Sequence, residues 1–575
     1  MGLLSLPFQA AAQTVTIDYV RVLKGDGSTV TTPPENVQDL DAEITRSAPF
    51  YSDLREKHIA VKGLGRGDVL EYQARWQTTK PLIAGQFWFQ YSFHHEGIVL
   101  DERLEIKTPS GRAVKVKGPQ ATQTVTTEAN SRVYTWTYSR LQDTKEDEQK
   151  KGTDTVLGRL PPPDVQISSF QSWDEVGRWY WNLQKDRIEP TAAIRAKAAE
   201  LTKGMTDESA KLLALYSFVS TQYRYIGIAF GLGRYQPHSA EDVLTNNYGD
   251  CKDKHTLLAS LLQAAGITLY PALINSSFKL DPDVPSPAQF DHVIGYLPQG
   301  KEAVWLDTTP EVGPFGYLVT RLRDKQALVM AGNKSIELVT TPVDPPFPSK
   351  QLFKIEGKLS NDGTFEAKVE DTARGDVEVP LRAAFRQVSQ SQWKDLVQQI
   401  SFALNYAGNV SDVSVSSPES IGEPFHFSYS YLRKDYPDWS NHQITAPGLP
   451  FFMPTAKDDA KYPVWLGPSL ETISESRVEL PKGYEPQVPA NVDLKYDFAE
   501  YHAAYYEDRG ALHAKRRLVV KLHEVPVAEL ADYRTLLRSC KTMWANMCRH
   551  HLVRHHCRTQ LKRAPSTAQL SMPCR

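Results

Sequence analysis

Cys251 is the sole cysteine in the first 539 residues of this 575-residue chain. The other four, Cys540, Cys548, Cys557 and Cys574, crowd the C-terminus. The body of the chain therefore cannot rest on a disulfide framework and must bury an ordinary hydrophobic core. A composition of 41% hydrophobic and 23% charged residues suits that. At roughly 150 residues per domain, the length suggests three or four domains. A lone cysteine in such a body is either an inert core thiol or a nucleophile, and local context must separate the two.

The bulk numbers exclude some partners. The formal net charge is -2, so no global field points to nucleic acid or an anionic membrane. No run of about 18 apolar residues is present, so no membrane-spanning helix is expected. The N-terminus reads MGLLSLPFQAAAQTV. It has an apolar start and a candidate Ala-Ala-Ala cleavage site, but no basic segment and too short an apolar one. It reads as the stub of an export signal or as a frayed terminus. The expected location is the periplasm or cell envelope, with the cytoplasm as the alternative.

Residues 14–141 read as a β-rich domain. Tyr19 to Leu23 runs into Lys24-Gly25-Asp26-Gly27, and Asp-Gly is a favoured hairpin turn. Phe87, Phe89, Tyr91 and Phe93 alternate with other residues at strand period. Residues 142–164 hold a mixed charge run, Asp143 to Lys151, then Pro161-Pro162-Pro163, and read as an exposed linker. Helical spacing follows over Trp173–Gln184, over about 191–203 and from near Asp207. Residues 345–530 read as a second β-rich domain, with Asp362-Gly363 as a hairpin turn and a helical insert near 391–405.

Between them, over 165–340, lies the stretch that carries chemistry. Leu257, Leu258, Leu261, Leu262 and Ala265 face one way on a helix that Gly266 ends. Asp250 is placed to cap it, which puts Cys251 at the first helical position. There the unpaired N–H groups and the helix dipole favour a thiolate. An inert core cysteine has no need of that position. A thiolate nucleophile also needs a base held in a fixed orientation. Two later strands supply candidates: Phe290-Asp291-His292-Val293, and Val304-Trp305-Leu306-Asp307.

GDCKDK, then DHVIGYL, then VWLDTTP resembles the transglutaminase-like superfamily, in the order Cys, His, Asp. The upstream TQYRYIGIAFG and GRYQPHSAEDVL resemble its bacterial branch, in which an N-terminal β domain of undetermined function precedes the core. LGRGDVLEY, residues 64–72, resembles part of that β domain. The resemblance spans about residues 15–530 and is strongest from Trp173 to Asp307. It implies an α+β chain: a papain-like transglutaminase core flanked by N-terminal and C-terminal β-rich domains. It implies Cys251 as nucleophile, His292 as base and Asp307 as the carboxylate that orients the base. The backbone N–H of Cys251 and, by analogy with papain-like enzymes, the Gln236 side chain are the oxyanion-hole candidates.

The expected function is attack on a peptide or amide bond through a thioester acyl-enzyme, with hydrolysis favoured over transfer to an amine. The expected partner is a peptide or protein substrate. No metal or other cofactor is called for. The alternative is a non-catalytic scaffold that binds a partner such as a cell-envelope polymer. Other readings compete locally. His255 shares a helix face with Cys251 and could serve as base. Asp253 and Lys254 could pair with each other. His94, His95 and His238 read as surface histidines, and Trp173, Trp179 and Trp181 as core. The tail, 541–575, holds Cys548, His550, His551, His555, His556 and Cys557 without the spacing of a structural zinc site. It reads as a disordered basic tail, or as translation out of frame.

Overall fold

The helix that begins at Cys251 runs to Ala264 and is buried from Cys251 to Leu262 in a computed structural model of the chain. The structure describes residues 2–552 apart from 44–52, 143–147, 228–234, 301, 333–334, 438, 442, 457–461 and 546. Two compact units emerge. The first comprises 1–349 with 374–387 and 417–425; the second comprises 350–373, 388–416 and 426–575. The fold is α+β, with a mixed helical and sheet core between β-rich regions.

In the first unit, Gln13–Leu23 pairs with Thr29–Thr31 and Val69–Thr78 in one three-stranded sheet. The Lys24–Ser28 turn between the first two has Gly27 at φ 84, a conformation that disfavours any side chain. A second sheet pairs Leu3–Gln9 with Leu54–Ala60. Leu6 and Phe8 of that first strand are buried with Val15, Val20 and Ile59. The apolar start of the chain thus forms a strand that contributes Leu6 and Phe8 to the core.

The boundary after residue 141 is less sharp than composition suggests. Val165–Ser168, read as the start of the core, pairs instead with Trp88–Tyr91 and Lys115–Lys117 of the N-terminal region. The preceding segment, read as an exposed linker, contains a helix, Glu148–Val156. Beyond it the chain docks on the core. Leu157 is buried, Arg159 pairs with Asp324 at 2.7 Å, and Lys325 donates to the Gly158 carbonyl. Gly158 sits at φ 61 and lies so close to the Ser276 carbonyl that a Cβ would collide. The docked part lies after the charge run and is fixed by Leu157, Gly158 and Arg159.

The core sheet has five antiparallel strands in the order Glu302–Leu306, His292–Gln299, Tyr270–Ile274, Gln326–Met330, Ile336–Thr340. The Cys251 helix packs on the His292 strand on one side. On the other it meets helices Ala192–Leu201, Glu208–Gln222 and Ala240–Asn246. A helix wrapped on every side must be apolar around its circumference, and this one is so only beyond Thr256. Its first turn is polar and buried, which calls for internal partners.

A second buried polar knot lies in the 374–387 and 417–425 segments. Arg382 and Glu378 are fully buried and paired at 2.7 Å, with Arg374 on the same carboxylate at 3.2 Å. Arg382 also donates to the carbonyls of Ser417, Pro418, Ser420 and Glu423.

The second unit is built on an eight-stranded sheet. Its centre joins Lys350–Leu359 in parallel to Leu470–Glu479, more than a hundred residues later. Phe365–Arg374 follows the first of these across a turn with Gly363 at φ 83. The helical insert is Trp393–Ala403. A helix, Leu530–Ala545, closes the β-rich region, with Tyr533 and Cys540 buried in it. The chain therefore does not lose its order at Cys540, where composition changes. Residues 553–575, with His555, His556, Cys557 and Cys574, lie outside the described residues.

Candidate active site

Asp250 caps the Cys251 helix from an extended backbone, its side chain accepting from the Asp253 N–H at 3.2 Å. This leaves Cys251 at the first helical position, 2% exposed. The strand register then sets the other two groups. Gly295 lies opposite Leu306, so one further step puts Asp307 across from Ile294. His292, two residues before Ile294, projects from the same face.

His292 Nε2 meets Asp307 Oδ2 at 3.1 Å. The other ring nitrogen, Nδ1, is left for the Cys251 thiol, which is within hydrogen-bonding reach of the imidazole. The structure thus brings Cys251, His292 and Asp307 together, although about 40 and 55 residues separate them in sequence. Burial would push the imidazole down, but Asp307 and Cys251 outweigh it and hold the His292 pKa well above its ordinary value. Burial likewise opposes the charge on Asp307. His292 and the Thr309 N–H and hydroxyl, at 2.9 and 2.7 Å, outweigh it and lower the carboxyl. The Tyr216 hydroxyl donates to the backbone carbonyl of Asp307 at 2.9 Å and to that of Gly313 at 3.0 Å, fixing the loop that carries the carboxylate.

The polar first turn of the helix finds its partners internally, but not as the sequence suggests. Asp253 does not pair with Lys254. It accepts from the His238 N–H at 2.9 Å and Nδ1 at 3.0 Å. His238 is therefore half-buried and tied to the first turn of the Cys251 helix. Lys252 pairs with Asp250, both fully buried. Burial raises the Asp250 carboxyl, with Asp253 adding to the rise and Lys252 opposing it. Lys254 donates to the Ser220 and Tyr223 carbonyls, and burial pushes its ammonium down to about 7. His255 is buried, and burial pushes its imidazole down to about 3. A group so reluctant to accept a proton is a poor general base, which removes it as a rival to His292.

His94 and His95 sit on the surface, bonded to Glu102 and Asp164 at 2.8 Å each. Trp179 is core, packed edge-on against Trp88 and Tyr235. Gln236, the oxyanion candidate, follows Tyr235 but is itself exposed, and among the described residues its side chain makes no hydrogen bond. Nothing in the geometry ties it to Cys251.

A cleft of about 380 Å³ opens beside the triad, lined by His292, Asp307, Tyr225, Gly227, Ser276, Asp291, Thr309, Pro310, Val319, Arg321 and Leu322. Reading the sequence did not single out Tyr225 or Arg321, since each looks like an ordinary loop or strand residue. Among the described residues, no group of three or more His, Cys, Asp or Glu side chains could hold a metal ion.

Residues 1–145 match the model of DUF3857, a domain of unknown function, and residues 195–284 match that of the transglutaminase-like superfamily. The second match contains Cys251 and ends before His292. No curated protein matches the chain. Among solved structures, a "putative protease" from Parabacteroides distasonis aligns with a TM-score of 0.65 at 12% identity, over 95% of this chain and 91% of the other. A "putative cysteine protease" from Cytophaga hutchinsonii aligns over 39% of this chain and 71% of the other at 15% identity, with a TM-score of 0.18 that has no bearing on the fold.

Proposed function

We propose, from the premise that this chain carries a transglutaminase-like superfamily domain behind a DUF3857 domain, that it is a cysteine enzyme hydrolysing peptide or amide bonds. The observation that supports this most directly is the His292–Asp307 hydrogen bond beside the buried Cys251 at a helix N-terminus.

The chemistry follows from that arrangement. His292 takes the thiol proton, and the Cys251 sulfur attacks the substrate carbonyl carbon. The carbonyl oxygen gains the negative charge, and the Cys251 N–H, unpaired in the first helical turn, is placed to receive it. Gln236 is the proposed second donor, and it would have to swing in from its exposed position. His292 then gives its proton to the leaving amine, and a thioester remains. His292 next deprotonates a water, which attacks the thioester and releases the acid. Asp307 stays ionised throughout and holds the ring in position.

An amine in place of that water would make the enzyme an acyltransferase with the same triad. A peptide or protein is the proposed substrate. The periplasm or cell envelope is the proposed location, where an envelope polymer could also be a partner. Cell fractionation decides the location.

Full-length protein incubated with denatured casein and a fluorescent primary amine separates the activities. New peptide ends without amine incorporation are expected. Amine incorporation in preference to cleavage would favour the transferase. Neither product, together with a sluggish Cys251, would favour the scaffold.

A further inference from the structure

Arg321 stands apart in the cleft. It lies on a short helical turn, Thr320–Leu322, that follows the apolar wall Tyr317–Val319. The residues on either side pin that turn. Leu322 is buried, and its carbonyl accepts from the Thr341 hydroxyl at 2.7 Å. Arg323 is buried too, donating to the Leu318 carbonyl at 2.8 Å and to Asp376 through both terminal nitrogens at 2.9 and 2.8 Å. The Arg321 carbonyl lies beside Gly158, 2.9 Å from where a Cβ there would sit. Two neighbouring arginines thus have opposite fates: one is consumed by the fold, the other is exposed at the cleft that His292 and Asp307 line.

Arg321 forms no ion pair among the described residues. Asp291, an acidic residue that lines the same cleft, is already occupied. Its oxygens accept from the Ser276 N–H at 2.7 Å and from the Ser276 hydroxyl at 2.8 Å. Asp307 is committed to His292 and Thr309. An exposed arginine alone is commonly a solvated charge. Here its backbone is immobilised, it stands in a concave site beside the reacting groups, and both carboxylates of that site are satisfied elsewhere. A guanidinium in that setting is suited to a bidentate hydrogen bond with a carboxylate.

We propose that Arg321 is a specificity-determining residue that selects acidic peptides, by binding a substrate carboxylate next to the bond attacked by Cys251. The inference rests on the cysteine-enzyme reading. It names the substrate class for that same site.

Iodoacetate and iodoacetamide test it without a known substrate, being nearly alike in size and differing in charge. Full-length protein is alkylated at about pH 6.5, and labelling is read on the Cys251 peptide by mass spectrometry. The ratio of the iodoacetate rate to the iodoacetamide rate should fall about tenfold in Arg321→Gln and be retained in Arg321→Lys. In the unmodified protein it should fall as salt rises from roughly 20 to roughly 500 mM. The iodoacetamide rate itself should stay within about twofold, because Arg321 takes no part in activating the thiol. In a peptide library, cuts should be enriched for Asp or Glu next to the scissile bond, and Arg321→Gln should lose that enrichment. An unchanged ratio in Arg321→Gln, or cuts indifferent to acidic residues, overturns the proposal while leaving the enzyme intact. If Cys251 reacts with neither reagent faster than a free thiol, the cysteine-enzyme reading fails as well.

Discussion

In the Arg374–Glu378–Arg382 knot, all five N–H donors of Arg382 find acceptors, one on Glu378 and four on backbone carbonyls. In the Cys251–His292–Asp307 cluster, the carboxylate and the imidazole are also buried and paired, yet both line a cleft. Both clusters bear the desolvation cost of burying charge. The first has every valence filled by the fold itself. The second has its imidazole and carboxylate on the wall of that cleft, beside the thiol. Burial and pairing alone therefore do not distinguish a candidate site from a brace; a concave surface beside the pair does.

The sharpest way to break this contrast is to cut each cluster at its centre. Cys251→Ala should abolish hydrolysis, a loss of at least about 10⁵-fold, with little change in melting temperature. Residual activity near the original level would remove Cys251 from the chemistry. Arg382→Ala should do the reverse. It leaves four carbonyls without their donor and the buried Glu378 with Arg374 alone as counter-charge, and should cost about 3–5 kcal/mol of stability in denaturant titration. In the cold, where the variant remains folded, its Cys251 should be labelled at the original rate. A stable variant, or one that folds but loses thiol reactivity, would show that the two clusters are not separate.

Asp307→Ala probes the boundary between the two roles, since this carboxylate braces a loop and orients the base. The loss in hydrolysis should be about a hundredfold smaller than that for removing the nucleophile. Equal losses would mean that Asp307 does more than hold the ring.

The smallest effect concerns His255, a buried group whose Nε2 has no hydrogen-bond partner among the described residues and which does not line the cleft. Its folded value is about 3, against about 6.5 in an unfolded chain. Below about pH 6.5 the unfolded chain takes up a proton that the folded chain refuses, so stability falls as the pH drops toward 3. Between pH 7 and 5 this amounts to about 2 kcal/mol. His255→Gln should flatten the pH dependence by that amount, and an unchanged slope would show that His255 titrates normally.

Local chemistry was legible in the sequence, and long-range pairing was not. Asp250 as cap, Gly266 as stop and Asp-Gly as hairpin turn are statements about neighbouring residues, and each is found in place. Three motifs in order marked Cys251, His292 and Asp307, whose side chains the fold brings together. The Val165–Ser168 strand pairs with residues about 50 and 75 positions earlier, and no local signal carries that information. The partners of Asp253 and Lys254 were misread for a related reason. Their neighbour in sequence looked like their partner, but a buried helix start turns successive side chains toward different elements. Arg321 was invisible because exposure, pinning and the cleft are properties of the folded chain. The paired Arg323 next to it has the same letter in the sequence.

Alkylation of Cys251 by iodoacetamide tests the central claim most directly. The full chain is required, since Cys540 is buried in a helix that a truncation would cut. Labelling is therefore followed on the Cys251 peptide alone. At about pH 6, Cys251 should react much faster than a free thiol, whose ordinary pKa is about 8.5. The raised pKa of His292 means that the imidazolium partner persists at this pH. His292→Ala, compared while folded, should slow the reaction by removing that charge. Labelling no faster than a free thiol, or a rate indifferent to His292→Ala, would contradict the catalytic reading and leave the core as a scaffold.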